Sequence, residues 1–339
     1  MNKHSIPGLK ELSMATSSAG TLKPVKRMPA PKGLPRIASS DFTRDLDISQ
    51  DELLALLDLT QQLKSHPGRF AKALAGRYIT LLFEKPSLRT RFTFELAAKQ
   101  LGGDAVLSVG PIGDREPLKD VARNLDRWTN GIVARTFSQA TIDDLAHWSS
   151  VPVINALSDR FHPCQALADV FTLQERFGDV RGLKLAFVGD GNNVAHSLML
   201  SALRLGMNFS LATPAGYEPD AEIVAQAGAL AAVAGGQLVI TNNAVEAVEG
   251  AQAVYTDVWA SMGQEHEKEK RLADFAPYQV NTALFEQAAP EAIFLHCLPA
   301  KRGEEVHDDV IESAQSAVFD QAENRLHVQK ALLLMLVGQ

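Results

Sequence analysis

Nine short apolar runs, each parted from the next by a helical pattern, constrain this chain more than any single motif does. They fall at residues 78–83, 105–109, 131–135, 151–156, 184–188, 209–213, 237–241, 253–256 and 292–296. Short runs that stay apolar throughout, instead of alternating, belong to strands covered on both faces. Strands of that kind with helices between them build parallel sheets. The predicted fold class is therefore α/β, with two domains, each a mainly parallel sheet flanked by helices. A chain of 339 residues with 46% hydrophobic content can bury two such cores. The series divides near residues 178–182, which predicts domains over 41–178 and 179–321.

Helix signals fit this frame. Ser49-Gln50-Asp51-Glu52 before Leu53, Leu54, Leu56 and Leu57 predicts an N-capped amphipathic helix. A helix over 166–177 follows His162 and stops at Gly178. Near the end, Glu323-Asn324-Arg325 precedes an apolar helical run over 328–337.

Charge and length exclude several classes. The net charge of −7 is unevenly placed: residues 1–40 hold seven Lys/Arg against Glu11, a balance of +6 that leaves −13 for the rest. That balance argues against a nucleic-acid partner. The basic start is rich in Ser, Pro and Gly and predicts a disordered tail over 1–40. It has no apolar core of a secretory leader and lacks the Arg-rich amphipathic pattern of a transit peptide. No apolar run approaches the roughly 20 residues that span a bilayer, so no membrane partner is expected. Cys164 and Cys297 stand far apart without metal-ligand spacing. The expectation is a cytoplasmic protein with no disulfide framework and no metal.

The most informative segment is Phe83-Glu84-Lys85-Pro86-Ser87-Leu88-Arg89-Thr90-Arg91. A buried strand ends at Phe83, and Ser87 opens an amphipathic stretch over 92–101. A capped helix N-terminus offers free N–H groups and partial positive charge, which Arg89, Arg91 and the Thr90 hydroxyl reinforce. This assembly suits a phosphate. The same residues also describe an ordinary capped helix with two solvated arginines, and the segment alone leaves both readings open. A second glycine-rich turn, Val188-Gly189-Asp190-Gly191-Asn192-Asn193-Val194, has the strand–turn–helix setting of a dinucleotide fingerprint. It lacks the third glycine, and the next strand ends in Thr213-Pro214 where a ribose-binding acid belongs. A nicotinamide cofactor is therefore not expected.

Other polar clusters also sit just past strand ends: Arg135, His162-Pro163-Cys164-Gln165, Asn193, the stretch from Asp257 to Ser261-Met262-Gly263, and His296-Cys297-Leu298-Pro299. From about Asp41 to the C-terminus the chain resembles the ornithine carbamoyltransferases. The S-x-R-T-R and H-P-x-Q elements are shared by carbamoyltransferases generally. The Ser-Met-Gly loop and His-Cys-Leu-Pro resemble the ornithine branch, where the aspartate branch has His-Pro-Leu-Pro.

The resemblance implies attack of the L-ornithine side-chain amine on carbamoyl phosphate, giving citrulline and phosphate for arginine biosynthesis, without a cofactor. It implies that Ser87, the Leu88 N–H, Arg89 and Thr90 hold the phosphate, with Arg325 reaching it from a terminal helix (322–339) that returns to the first domain. Arg89, Thr90, Arg135 and His162 would approach the carbonyl oxygen, and Gln165 would accept from the carbamoyl NH2. Asp257 would pair with the ornithine α-ammonium, Asn193, Ser261 and Met262 would bind its carboxylate end, and Cys297 with the Leu298 carbonyl would flank the reacting amine. Covalent catalysis by Cys297 is not expected, because no base for a nucleophilic thiol is evident. The charged run 264–271 predicts a solvated loop or helix that closes over the amino acid. A homotrimer, or a multiple of trimers, is also implied.

Two departures stand out. Leu88 replaces a threonine found in many relatives, which removes one hydroxyl but leaves the N–H. Pro111 replaces a polar residue that reaches a neighbouring subunit's phosphate, and proline offers neither N–H nor polar side chain. Two other readings remain beside the leading one: a carbamoyltransferase for N-acylated ornithine, and a non-catalytic relative that binds an anion or amino acid.

Overall fold

The computed structural model describes residues 33–260 and 265–338. The first sheet contains β1 (Tyr78–Phe83), β2 (Asp104–Val109), β3 (Gly131–Arg135) and β4 (Val153–Leu157), ordered β2-β1-β3-β4 and parallel throughout. Around it lie α1 (Gln50–Ser65), α2 (Leu88–Gln100), α3 (Leu118–Trp128) and α4 (Gln139–Trp148). Helix α5 (Pro163–Phe177) leads into the second part of the chain. The second sheet contains β5 (Lys184–Val188), β6 (Asn208–Ala212), β7 (Leu238–Thr241), β8 (Ala253–Thr256) and β9 (Ile293–His296), ordered β7-β6-β5-β8-β9 and again parallel. Its helices are α6 (Asn193–Arg204), α7 (Ala221–Ala234), α8 (Ala244–Val248), α9 (Lys268–Phe275), α10 (Thr282–Phe285) and α11 (Asp308–Ile311), and α12 (Val318–Leu336) closes the chain. The predicted fold class is the one observed. The fourth strand starts two residues later than predicted, because Pro152 has no N–H to give the ladder.

Strand order decides where ligands can sit. An open parallel sheet leaves a crevice beyond the carboxyl ends of two strands whose connections run in opposite directions. In the first sheet those strands are β1 and β3, in the second β5 and β8. The residues just past these four ends are Ser87–Arg91, Arg135 with Thr136, Gly189–Asn193, and Asp257. Ser87–Arg91, Arg135, Asn193 and Asp257, picked from the sequence, thus stand at the switch points, while His162–Gln165 and His296–Pro299 follow the edge strands β4 and β9.

One apolar core runs from the first sheet to the second through α1, α5, α6 and α12. Smaller cores lie under α3 and α4 on the outer face of the first sheet and under α8, α10 and α11 on that of the second. Helix α12 packs against α5, α1 and α2, which returns the C-terminus to the first sheet. It begins at Val318, ten residues before the apolar run that predicted it. Arg325 therefore lies inside the helix, 3% exposed, and not at its start. In the early turns of α12 Gln321 and Asn324 are polar yet buried, since Asn324 donates to Thr172 Oγ1 (3.0 Å) and Gln321 to Asp169 Oδ1 (2.6 Å) across to α5. Apolar periodicity cannot register a contact made by amides. The ordered chain also starts before Asp41: Ile37 is buried, and its N–H points at Met335 O, 3.5 Å away. Residues 1–32 of the predicted tail lie outside the described residues.

Asp45 fastens the two halves. It is 2% exposed and accepts from Ser197 Oγ (2.6 Å) and Ser201 Oγ (3.3 Å) on α6, while Arg204 donates to the carbonyls of Asp45 and Ile48. Burial pushes its carboxyl up to about 7, against the lowering effect of Ser197 and Arg204. A folded-state value above the unfolded one gives stability that is complete below about pH 4 and is lost as pH rises through 7. Asp45→Asn removes this titration. Urea unfolding at pH 6 and pH 8 should show the wild type losing roughly 1–2 kcal/mol more over that interval than the variant. Equal losses would contradict the burial argument.

Candidate active site

The first crevice collects positive charge. Ser87 caps α2 by accepting from Thr90 N–H (3.3 Å), which places Leu88, Arg89 and Thr90 in the first turn. The Leu88 side chain is 68% exposed and turned away, so only its N–H belongs to the crevice floor. Arg91 is exposed and lies 3.8 Å from Glu95, so of the two arginines only Arg89 stays with the site. Arg135 ends β3, and His162 caps α5 with its own N–H donated to Ser197 Oγ (2.9 Å). Arg325 reaches in from α12 and donates to Thr90 Oγ1 at 2.8 Å.

Burial lowers each of these cations. The Arg135 guanidinium falls to about 10, chiefly by burial and then by Arg325 and Arg89 beside it. Burial, with Arg325 and Arg135, holds the His162 imidazole well below its ordinary range, so it is neutral at pH 7. Arg135 Nε, Arg325 Nε, His162 Nδ1 and Gln165 Oε1 are all buried and find no partner among the described residues. Buried groups of this kind carry a large desolvation cost unless a ligand meets them, an acceptor for the guanidinium N–H groups and a donor for the Gln165 oxygen. Several guanidinium groups held together make that acceptor an anion.

The second crevice is anionic. Asp257 is 6% exposed and accepts from Val258 N–H (2.8 Å), Asn192 Nδ2 (3.0 Å) and Cys297 Sγ (3.0 Å). Burial and then the Asp257 carboxylate hold the Cys297 thiol well above its ordinary value. Cys297 is thus an S–H donor at neutral pH and not a thiolate nucleophile. It also lies in the field of Arg89, Arg135 and Arg325, which places it between the two crevices. Leu298 follows with φ 56°, an uncommon conformation for a branched residue, and its N–H donates to His296 Nδ1 at 2.9 Å. Asn193 opens α6 and uses one amide N–H on Ser158 O (2.6 Å). Ser261 and Met262 lie outside the described residues.

Comparison with known proteins covers both crevices. Residues 40–175 match the family model for the aspartate/ornithine carbamoyltransferase carbamoyl-P binding domain, and residues 181–336 match that for the Asp/Orn binding domain. The chain belongs to the aspartate/ornithine carbamoyltransferase family. It is 49% identical over 307 residues to an ornithine carbamoyltransferase of Thermococcus kodakarensis, covering 89% of this chain and 98% of the relative. Its identity to the Symbiobacterium thermophilum ornithine carbamoyltransferase is 51% over 303 residues, with 88% and 98% covered. The solved ornithine carbamoyltransferase of Pyrococcus furiosus superposes with a TM-score of 0.87 at 45% identity, over 89% of this chain and 98% of that one.

Family membership accounts for features the sequence left unexplained. Gly191 in the dinucleotide-like turn serves packing: a Cβ there would meet Pro219 N at 2.3 Å. Asp257, His296 and Cys297 offer ligand atoms within 4.8 Å of one another, the geometry of a candidate metal site. The His296 ring is already committed, however. Nδ1 accepts from Leu298 N–H, so the proton sits on Nε2 and goes to Glu305 Oε1 at 3.1 Å. The set therefore fits a carbamoyltransferase cleft wall better than a metal centre.

The charged run 264–271, expected as a solvated loop or helix, forms a short 3-10 turn (Glu265–Glu267) and the start of α9 and is largely exposed over 266–270, but its Arg271 is only 6% exposed. Arg271 donates to Asp190 Oδ2 (2.8 Å) and Trp259 O (3.0 Å) and lies over the Tyr217 ring, so α9 is tied to the loop after β5. Sequence reasoning also missed Asn192, whose Oδ1 caps α6 while its Nδ2 steadies Asp257. An Asn before a helical pattern signals the cap, but nothing in a cap signals the use of its other end.

Proposed function

We propose that this transferase moves the carbamoyl group of carbamoyl phosphate to the side-chain amine of L-ornithine, yielding L-citrulline and phosphate. The carrying observation is the pair of unlike crevices: buried guanidinium N–H groups with no partner among the described residues on one side of Cys297, and a buried carboxylate on the other. Ser87, the Leu88 N–H, Arg89 and Thr90 hold the phosphate, with Arg135 and Arg325 adding charge. Arg89, Thr90, Arg135 and His162 meet the carbonyl oxygen, and the Gln165 amide oxygen accepts from the carbamoyl NH2. Donors fixed where negative charge grows stabilise the transition state more than the ground state. Neutral His162 supplies a donor without adding a further charge to the cluster.

Asp257 pairs with the α-ammonium of ornithine, and Asn193, Ser261 and Met262 hold its carboxylate end. The reacting amine lies between Cys297 and the Leu298 carbonyl. A free alkyl ammonium has a pKa near 10.4, so its neutral form costs about 4–5 kcal/mol at pH 7. The neighbouring guanidinium groups favour that neutral form, and the Leu298 carbonyl can orient it.

An acylated α-amine would leave Asp257 facing an amide, which is why free ornithine is the substrate proposed. An assay offering ornithine, N-acetylornithine and aspartate together should give citrulline as the main product. Preference for either of the others would overturn the choice. The assembly proposed is a homotrimer in the cytoplasm, acting in arginine biosynthesis. The exposed apolar side of β1, β2 and α3, with Tyr78, Val106 and Trp128 each at least half exposed, supports contact with further copies.

A further inference from the structure

Among the buried polar groups that the reaction leaves unused, Asp169 has the closest hold on the site. It stands on α5, one turn beyond Gln165, and is fully buried. Its Oδ1 accepts from Gln165 Nε2 at 2.8 Å and from Gln321 Nε2 at 2.6 Å. Gln321 in turn accepts the His296 N–H on Oε1 (2.9 Å), and its Nε2 lies 3.2 Å from the Tyr255 hydroxyl. One carboxyl oxygen thus sits between amides from α5 and α12, and the second amide continues to β8 and β9. Gln165 Oε1, by contrast, is buried without a partner among the described residues.

The two ends of an amide have nearly the same shape and opposite hydrogen-bonding sense. Some neighbour must therefore decide which end faces the cleft. Oδ1 of Asp169 offers only lone pairs, so it draws the NH2 of Gln165 toward itself and leaves the oxygen for the cleft. Turning the amide over would set two buried oxygens against each other and leave the NH2 unmatched. We infer that Asp169 is a positioning residue that fixes the Gln165 amide oxygen toward the acyl substituent, so the site selects an acyl phosphate bearing NH2 over one bearing methyl. The inference rests on the assignment of Gln165 to the carbamoyl NH2. It does not depend on charge, since both bonds fall on Oδ1 while Oδ2 has no partner among the described residues.

Two probes isolate the effect: phosphonoacetamide, with NH2 on its carbonyl, and acetonylphosphonate, with methyl in the same place. Calorimetry on the full chain gives a Kd for each, and their ratio is the readout. General loosening of the site would weaken both probes and leave the ratio alone. The wild type should bind the amide at least about tenfold more tightly. Asp169→Leu should bring the ratio to within about threefold of one, as should Gln165→Leu. Asp169→Asn keeps an oxygen for both amides and should stay within about twofold of the wild-type ratio. If Asp169→Leu does not fold, Asp169→Ala removes the acceptor without added bulk and is measured the same way. A wild-type ratio in the Leu or Ala variant, alongside a lost ratio in Gln165→Leu, would overturn the role of Asp169 alone. An unchanged ratio in Gln165→Leu would overturn the assignment of Gln165, and the inference with it.

Discussion

Arg89→Ala is expected to lower kcat/KM by more than about 150-fold, a loss of roughly 3 kcal/mol of transition-state stabilisation. The magnitude follows from position. Arg89 lies in the first turn of α2, half-buried, where its guanidinium can reach both a phosphate on the helix N-terminus and the adjoining carbonyl oxygen. The carbonyl oxygen gains negative charge as the amine attacks, and the phosphate gains it as its C–O bond breaks, so the loss should fall on kcat as well as on KM. Arg89→Lys separates charge from geometry: a lysine restores a point charge but not the two-pronged donor, and should recover only part of the rate. Steady-state citrulline formation with both substrates varied measures each variant. A wild-type rate in Arg89→Ala would remove this residue from the reaction.

Asp257→Asn should act on the other substrate. The carboxylate is buried and already holds three donors, so its charge is matched when an ammonium completes the shell. Neutralising it leaves that ammonium without a counter-charge in a desolvated place, and sets one amide NH2 beside that of Asn192. Removing one partner of a buried charge pair costs about 2–5 kcal/mol, so kcat/KM for ornithine should fall at least about thirtyfold. Carbamoyl phosphate affinity, followed through phosphonoacetamide binding, should change by less than about threefold. If the substitution abolished binding of that anion instead, the division of the cleft between the two crevices would be wrong.

Much of this was legible in the sequence because strand ends in parallel sheets announce themselves twice. An apolar run stops, and a polar cluster with no packing purpose follows. Ser87, Arg89, Thr90, Arg135 and Asp257 end or follow the strands at the observed switch points, and His162, Gln165 and Cys297 come in after the edge strands β4 and β9. The structure leaves their catalytic roles to the experiments above. What stayed hidden was held by polar contacts between elements distant in sequence. The first turns of α12 and the buried Arg271 look solvent-facing by composition, yet Gln321, Asn324 and Arg271 meet Asp169, Thr172 and Asp190 more than 80 residues away. Hydrophobic pattern carries no trace of a partner chosen by hydrogen bonding. Asp45 and Asp169 were missed for the same reason: an acid in the sequence gives no sign of which distant helix will cover it.

The central claim is that Arg89 on α2, Arg135 on β3 and Arg325 on α12 grip the leaving phosphate while Asp257, across Cys297, grips the amino acid. A crystal structure with a bisubstrate analogue, phosphonoacetyl joined to the side-chain amine of ornithine, tests it most directly. The account predicts phosphonate oxygens within hydrogen-bond distance of Ser87, Arg89, Thr90 and Arg135, and the α-ammonium on the Asp257 carboxylate. A phosphonate bound away from the α2 N-terminus, or an α-ammonium that does not touch Asp257, would contradict it.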